Sequence, residues 1–150
     1  NLLPETVIKL SKIDTIIGIK EASGSLTQAT EIIKNVPRSF VVLSGEDALN
    51  YPLFCIGAQG SISVTANVDP KRLAEQYASF KSGNHERARA LHQELFDLHQ
   101  IMFVETNPIP VKCALSLMGM IREEYRLPLV PLAAANKEKI KKVLTEQKII

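Results

Sequence analysis

Lys20 is the residue of this sequence whose type and place could do covalent chemistry. It follows the apolar, β-branched run Thr15-Ile16-Ile17-Gly18-Ile19, and it opens the polar break Lys20-Glu21-Ala22-Ser23-Gly24. The run reads as a strand buried on both faces. Parallel α/β architectures gather their sites at such strand ends. A lysine shielded from water there gives up its proton more readily, and the free amine attacks carbonyl carbon. The commoner place for a lysine is a solvated loop, so position alone does not make Lys20 a nucleophile. Two further strand ends carry small and polar residues. Ser44-Gly45-Glu46-Asp47 follows Phe40-Val41-Val42-Leu43, and Thr65-Ala66-Asn67 closes Ser61-Ile62-Ser63-Val64-Thr65. Three such ends around one lysine describe a site without naming its reaction.

Other constellations carry less. His85, His92 and His99 recur every seven residues. Seven residues rise about 10.5 Å along a helix, too far for two imidazoles to share one metal. The three are expected to form a polar stripe or to line a subunit contact. Cys55 and Cys113 are far apart, flanked by apolar residues and outside any Cys-x-x-Cys pair. Buried free thiols are expected over a single disulfide. Gly57-Ala58-Gln59-Gly60 precedes a strand and is followed by no Gly-Lys-Ser/Thr, so it is not a phosphate loop. Ser23-Gly24-Ser25 could receive an anion at the next helix N-terminus, but a cap explains it as well. Lys137, Lys139, Lys141, Lys142 and Lys148 are interleaved with Glu138 and Glu146, as on a solvated helix face.

The elements that must position Lys20 follow from periodicity and punctuation. Leu3-Pro4-Glu5 starts a helix. Ser25 and Gln28 form a capping box for a helix striped by Leu26, Ala29, Ile32, Ile33 and Val36, which Asn35 and Pro37 end. A helix from Leu49 to Ile56 follows the second strand and is weakened by Pro52. Asp69-Pro70 caps another that runs to about Phe80. Strands separated by helices call for parallel pairing. Beyond Ser82 no strand signal remains: a long amphipathic helix spans His85 to Phe103, a shorter one Val111 to Met118, and a last one Asn136 to about Glu146. The order predicts an α/β part over residues 1–83 with three parallel strands, and an all-helical part over 84–150.

Composition sets the bounds. The chain has 150 residues, 45% hydrophobic and 23% charged, as in a soluble globular domain. A complete (β/α)8 barrel needs roughly 250 residues, so barrel material here would be part of one. The net charge of +2 is too balanced to argue for nucleic acid or an anionic membrane, and with 5% aromatics and no Trp a base-stacking platform has little to be built from, so neither partner is expected. No run is long enough to span a membrane, and no signal-peptide pattern opens the chain. The first residue is Asn1 rather than Met, from which a preceding segment is expected to have been removed.

Four blocks, in order and with compatible spacing, carry a family resemblance over essentially the whole chain. Gly18-Ile19-Lys20-Glu21-Ala22-Ser23-Gly24 resembles the Schiff-base lysine motif of the dihydrodipicolinate synthase family. Leu43 to Asp47 and Gly60 to Asn67 resemble that family's next two strand ends. Glu105-Thr106-Asn107-Pro108-Ile109-Pro110-Val111-Lys112 resembles its Asn-Pro-Ile-Pro-Val-Lys signature. The departures are Ser25, where the family often has an acidic residue, and Glu46, where Asp is common.

The resemblance implies the C-terminal part of a (β/α)8 TIM barrel, strands six to eight, followed by an all-helical tail. It implies a cytoplasmic lyase of lysine (diaminopimelate) biosynthesis in which Lys20 forms an imine with pyruvate and the derived enamine attacks aspartate semialdehyde. The covalent imine stands in for a metal or organic cofactor. By the same resemblance the carbonyl of Ile62 contacts pyruvate, Gly45 lines the pocket with its backbone, and Thr65 and Asn67 stand nearby. The family's paired threonines, relay tyrosine, arginine and lysine-feedback site would precede Asn1, and none of Tyr51, Tyr77 and Tyr125 matches the relay tyrosine. Turnover by the isolated chain is therefore expected to be lost or impaired. A non-catalytic folding or assembly fragment is the alternative of another class. Another pyruvate-dependent aldolase, such as an N-acetylneuraminate lyase, is the closer one, against which Glu21-Ala22-Ser23-Gly24 and the Asn-Pro-Ile-Pro block count. The intact family is typically a homotetramer. Three strands of an eight-stranded barrel leave two unpaired edges, so the chain is not expected to be a free monomer.

Overall fold

Two strands, β1 (Gly18–Glu21) and β2 (Val41–Ser44), form the sheet, with helix α1 (Pro4–Leu10) before them and α2 (Leu26–Asn35) between them. The computed structural model describes all residues, 1–150. The strands pair parallel, with Gly18 opposite Val41 and Lys20 opposite Leu43. A parallel pair needs a crossover rather than a hairpin, and α2 supplies it. Ser25 caps that helix, its Oγ accepting from the Gln28 N–H at 3.1 Å. The reciprocal half of the capping box is not made: the Gln28 amide donates to Glu21 Oε2 at 3.1 Å instead. Below the strands Ile32, with no exposure, packs with Val7, Phe40 and Val42.

The first strand starts at Gly18 rather than Thr15. The Ile16 N–H closes a turn onto the Ile13 carbonyl at 2.9 Å, and the ladder begins where the Val41 N–H donates to Ile17 at 2.9 Å. Gly18 is where β2 comes closest, since a Cβ there would lie 2.4 Å from the Val41 oxygen. Nor is the strand buried on both faces: Ile17 is 75% exposed, Lys20 is exposed and only Glu21 is buried.

The expected third strand, Ser61 to Thr65, reduces to one parallel bridge between Ser44 and Ser61. Ser44 donates to Gly60 at 2.9 Å and Ile62 donates to Ser44 at 2.8 Å. Past Ile62 the backbone N–H groups meet side chains. Val64 and Thr65 both donate to Asp47 Oδ2 at 2.9 Å, and Ala66 donates to Ser63 Oγ at 2.9 Å. Short polar side chains compete in this way with a ladder, and the chain closes into a 3-10 turn over Thr65–Asn67. The sheet is thus two parallel strands with a third bridged segment, in a mostly helical α/β fold.

A 3-10 turn, Asp47–Leu49, leads into α3 (Asn50–Cys55), whose Pro52 falls in the first turn, where no intrahelical N–H bond is due. Asp69 caps α4 (Pro70–Lys81), accepting from the Arg72 N–H at 3.1 Å. In place of one helix from His85 to Phe103 there are α5 (His85–Glu94) and α6 (Phe96–Ile101), separated at Leu95. The Leu95 and His99 N–H groups still donate one turn back, at 3.0 and 2.9 Å, so the hydrogen bonding runs through the break. Helices α7 (Ile109–Leu117) and α8 (Ala134–Glu146) complete the chain. Leu95, Leu98, Met102, Ile140 and Leu144 have no exposure, and Val68 and Leu73 join them in the largest core.

The histidines do not form a polar stripe. His99 is 1% exposed, the His92 ring lies 5.9 Å from that of Tyr51, and the His85 ring lies 5.0 Å from that of Phe80. Both cysteines are free, but only Cys113 is buried. Cys55 is exposed because Leu53 and Phe54 take the buried side of α3. No helix is long and apolar enough to cross a membrane.

Candidate active site

Alternation along β1 separates two ionisable neighbours onto opposite faces. Glu21 turns inward, where its Oε1 accepts from the Ser23 N–H at 2.7 Å and its Oε2 from Gln28. Lys20 turns to the open face and runs along the backbone of Gly45. A Cβ on Gly45 would sit 2.8 Å from Lys20 Cγ, from Lys20 Cε and from Ala22 Cβ. The two strand ends are tied together by the Gly45 N–H, which donates to the Glu21 carbonyl at 2.7 Å. Only glycine allows a lysine stem to lie so close to the neighbouring strand end.

Beyond Gly45 a cavity of about 310 Å³ is lined by Lys20, Ile62, Asn67, Asn107, Val111 and Lys112. Ile62 is 49% exposed, and its N–H is held by the Ser44 carbonyl while no backbone N–H donates to its own carbonyl. The helical part contributes through the turn Asn107-Pro108-Ile109-Pro110, which opens α7 and brings Asn107 and Lys112 to the same wall. The Lys112 ammonium lies 5.3 Å from the centre of the Tyr125 ring. Burial, and then the nearby Glu123 carboxylate, push the Tyr125 hydroxyl up to about 12. A second cavity of about 340 Å³ opens on the other side of Lys20, beside Leu2, Ile19 and Ser23. A wider cleft of about 540 Å³ between α6 and α8 includes neither Lys20 nor any other residue of the strand ends.

The structure places Lys20, Ile62 and Asn67 on one cavity wall, while Gly45 lies against the Lys20 stem and lines neither cavity beside it. Thr65 stands behind that wall, fully buried, its Oγ1 2.9 Å from His99 Nδ1. Tyr51, Tyr77 and Tyr125 line neither cavity beside Lys20. Sequence reasoning did not single out Asp47, His99, Asn107 or Lys112 as members of the site. Asp47 accepts two backbone bonds from the third strand end and one from Asn50 Nδ2 at 3.2 Å. Burial lowers the His99 pKa to about 4, with Asp47 opposing the shift and His92 and Arg72 adding to it, so the ring is neutral at neutral pH. For Asn107 and Lys112 the motif block was the available signal. An amine on a strand end, an open backbone carbonyl, a side-chain amide and a second ammonium suit a small ligand with a reactive carbonyl and a carboxylate.

Known proteins match this chain closely over its whole length. The chain is 50% identical over 150 residues to the 4-hydroxy-tetrahydrodipicolinate synthase of Archaeoglobus fulgidus, covering 100% of this chain and 52% of that protein. It is 47% identical over the same length to the synthase of Thermodesulfovibrio yellowstonii, again covering 52% of it. The crystal structure of dihydrodipicolinate synthase from Thermotoga maritima superposes with a TM-score of 0.97 at 42% identity, over 100% of this chain and 52% of that one. The chloride-inhibited synthase from Acinetobacter baumannii, solved with pyruvate, superposes with a TM-score of 0.96 at 39% identity, over 100% of this chain and 52% of that one. The chain thus spans about half the length of the curated relatives it matches. At these identities the likeness is one of descent as well as shape, and the profile of the Dihydrodipicolinate synthetase family matches residues 1–147; the chain belongs to that family.

Proposed function

We propose that this chain is the lysine-bearing, C-terminal half of a 4-hydroxy-tetrahydrodipicolinate synthase, a cytoplasmic lyase that condenses pyruvate with aspartate semialdehyde. Residues 1–83 would supply barrel strands six to eight and residues 84–150 the helical part that closes on them. The observation that carries the proposal is the Lys20 stem lying on Gly45 beside Ile62 at the mouth of one cavity.

In this reading the Lys20 amine adds to the ketone of pyruvate, and the carbinolamine loses water to give a protonated imine. The imine withdraws electrons from the methyl group, which loses a proton and leaves an enamine. The enamine carbon forms a carbon–carbon bond with the aldehyde of aspartate semialdehyde, whose oxygen takes up a proton. The amine of the second substrate then attacks the imine carbon, closing the ring and releasing Lys20 as a free amine. The protonated imine is the electron sink, so the sequence requires no metal or organic cofactor. The open carbonyl of Ile62 and the backbone of Gly45 would orient the 2-oxo acid.

Neither cavity beside Lys20 contains a tyrosine, so proton relay would fall to the remaining part of the barrel. The same feature favours the second reading, in which this chain by itself is a non-catalytic assembly unit. Exposed Leu2, Ile17 and Ile62 lie on or next to the strand segments, where further barrel strands or a second copy would cover them. The test is turnover by the full-length enzyme of which this chain would be one half. Consumption of aspartate semialdehyde in the presence of pyruvate is expected, with no cleavage of N-acetylneuraminate. Cleavage of the sugar acid without condensation would overturn the assignment in favour of the related aldolase.

A further inference from the structure

Asp47 is a carboxylate with 2% exposure that lines no cavity beside Lys20. Burying a carboxylate is costly unless several donors meet it, and here they do. Its Oδ2 accepts from the N–H groups of Val64 and Thr65 at 2.9 Å each, and its Oδ1 from Asn50 Nδ2 at 3.2 Å. Those two N–H groups belong to the segment that leaves the sheet just after Ile62. Thr65 is held again from the far side by His99, with Oγ1 and Nδ1 2.9 Å apart and the two residues 0% and 1% exposed. The turn after β2, the segment after Ser61 and helix α6 therefore meet in one buried polar chain, Asn50–Asp47–Thr65–His99.

The place of this chain suggests what it holds. Between Ser61 and Thr65 the backbone has one bond to the sheet, from the Ile62 N–H to the Ser44 carbonyl at 2.8 Å. Its next anchors are the two bonds to Asp47. Ile62 and Val64 both line the cavity beside Lys20, whereas Asp47, Thr65 and His99 do not. The stretch that carries the open Ile62 carbonyl is thus suspended between a strand and a buried carboxylate. Charge-assisted bonds to backbone N–H groups are among the stronger hydrogen bonds, and paired bonds fix direction as well as distance.

We propose that Asp47, backed by Thr65 and His99, is a positioning residue that sets the Ile62–Val64 backbone at the distance from Lys20 needed to hold one 2-oxo acid. The inference rests on the reading of Lys20 as the nucleophile toward such an acid. It assigns no contact with substrate to Asp47, Thr65 or His99. Losing either anchor lets the Ile62 carbonyl drift, which weakens capture of the 2-oxo acid more than it slows the step at Lys20.

The experiment is borohydride trapping of pyruvate on Lys20 in the native protein, measured over a range of pyruvate concentrations for wild type, Thr65→Val, Thr65→Ser and Asp47→Asn. Half-saturation is a property of the folded molecules alone, so a partly unfolded variant remains readable. Thr65→Val is expected to raise the half-saturating pyruvate concentration about tenfold, as for one lost buried hydrogen bond, and to change the limiting rate much less. Asp47→Asn is expected to raise it further, and Thr65→Ser, which keeps the hydroxyl, to restore it to near the wild-type value. Wild-type half-saturation in Thr65→Val and in whatever Asp47→Asn folds would overturn the positioning role while leaving Lys20 as nucleophile. Absence of any Lys20 adduct in the wild type would overturn the underlying reading instead.

Discussion

Replacing Gly45 by alanine tests the contact on which the site is built. A methyl group at this position would lie 2.8 Å from Lys20 Cγ, Lys20 Cε and Ala22 Cβ. Carbon atoms rest about 3.5–4.0 Å apart, so roughly 1 Å of space has to open. Lys20 is exposed and its stem can turn away, but Ala22 Cβ is fixed to its backbone, so the strand end has to shift as well. Gly45 has no left-handed backbone angle, and the substitution is therefore steric rather than conformational. The stability cost is that of overpacking with a backbone shift, about 1–3 kcal/mol. The cost to chemistry is larger, because displacing a reacting group by about 1 Å slows it on the order of a hundredfold. Gly45→Ala should accordingly unfold up to about ten degrees below the wild type and form the pyruvate adduct on Lys20 about a hundredfold more slowly. Wild-type adduct formation in a folded Gly45→Ala protein would refute the argument that this strand end holds the amine.

Two further outcomes follow from buried groups. His99 has a folded pKa of about 4, below the usual value near 6.5, because burial disfavours its charged form. Between those values the unfolded chain binds more protons than the folded one, so stability is full above about pH 6.5 and falls as the pH drops toward 4. The whole effect is on the order of 3 kcal/mol, and the burial-lowered His92 adds to it with the same sign. Urea midpoints across that range should show the slope in wild type and a flatter one in His99→Gln; equal slopes would contradict the assignment. Iodoacetamide should label Cys55 in the native protein and Cys113 only after denaturation, since one is exposed and the other buried. Mass spectrometry decides this, and equal native labelling of both thiols would contradict the packing of α7.

How much of the fold was legible depended on whether its cause was local. The Ser25 cap and apolar stripe of α2, and the Asp69-Pro70 start of α4, are short-range signals, and the helices form where those signals place them. The third strand was not legible, because what ends it is Asp47, taking the N–H groups of Val64 and Thr65, 17 and 18 residues away. The β-branched run at Thr15 to Ile19 could not reveal which of its ends would pair, and the close approach of Val41 at Gly18 decides that. Within the site, Lys20, Gly45 and Ile62 stood out through motif blocks; the structure brings Lys20 and Ile62 to one cavity and lays the Lys20 stem on Gly45, which does not line it. His99 was masked by its spacing from two other histidines. The better signal was its place one turn from Leu95 and beside Leu98, both without exposure, since a polar residue on an apolar face needs a partner there.

The central claim is that Lys20 is the amine that captures a 2-oxo acid. Its most direct test is to incubate the native protein with pyruvate, reduce with borohydride, and locate the modified peptide by mass spectrometry. The account predicts one reduced pyruvate per chain, attached at Lys20. A folded protein that takes up none, or that carries the adduct on Lys112 or scattered over surface lysines, would contradict it.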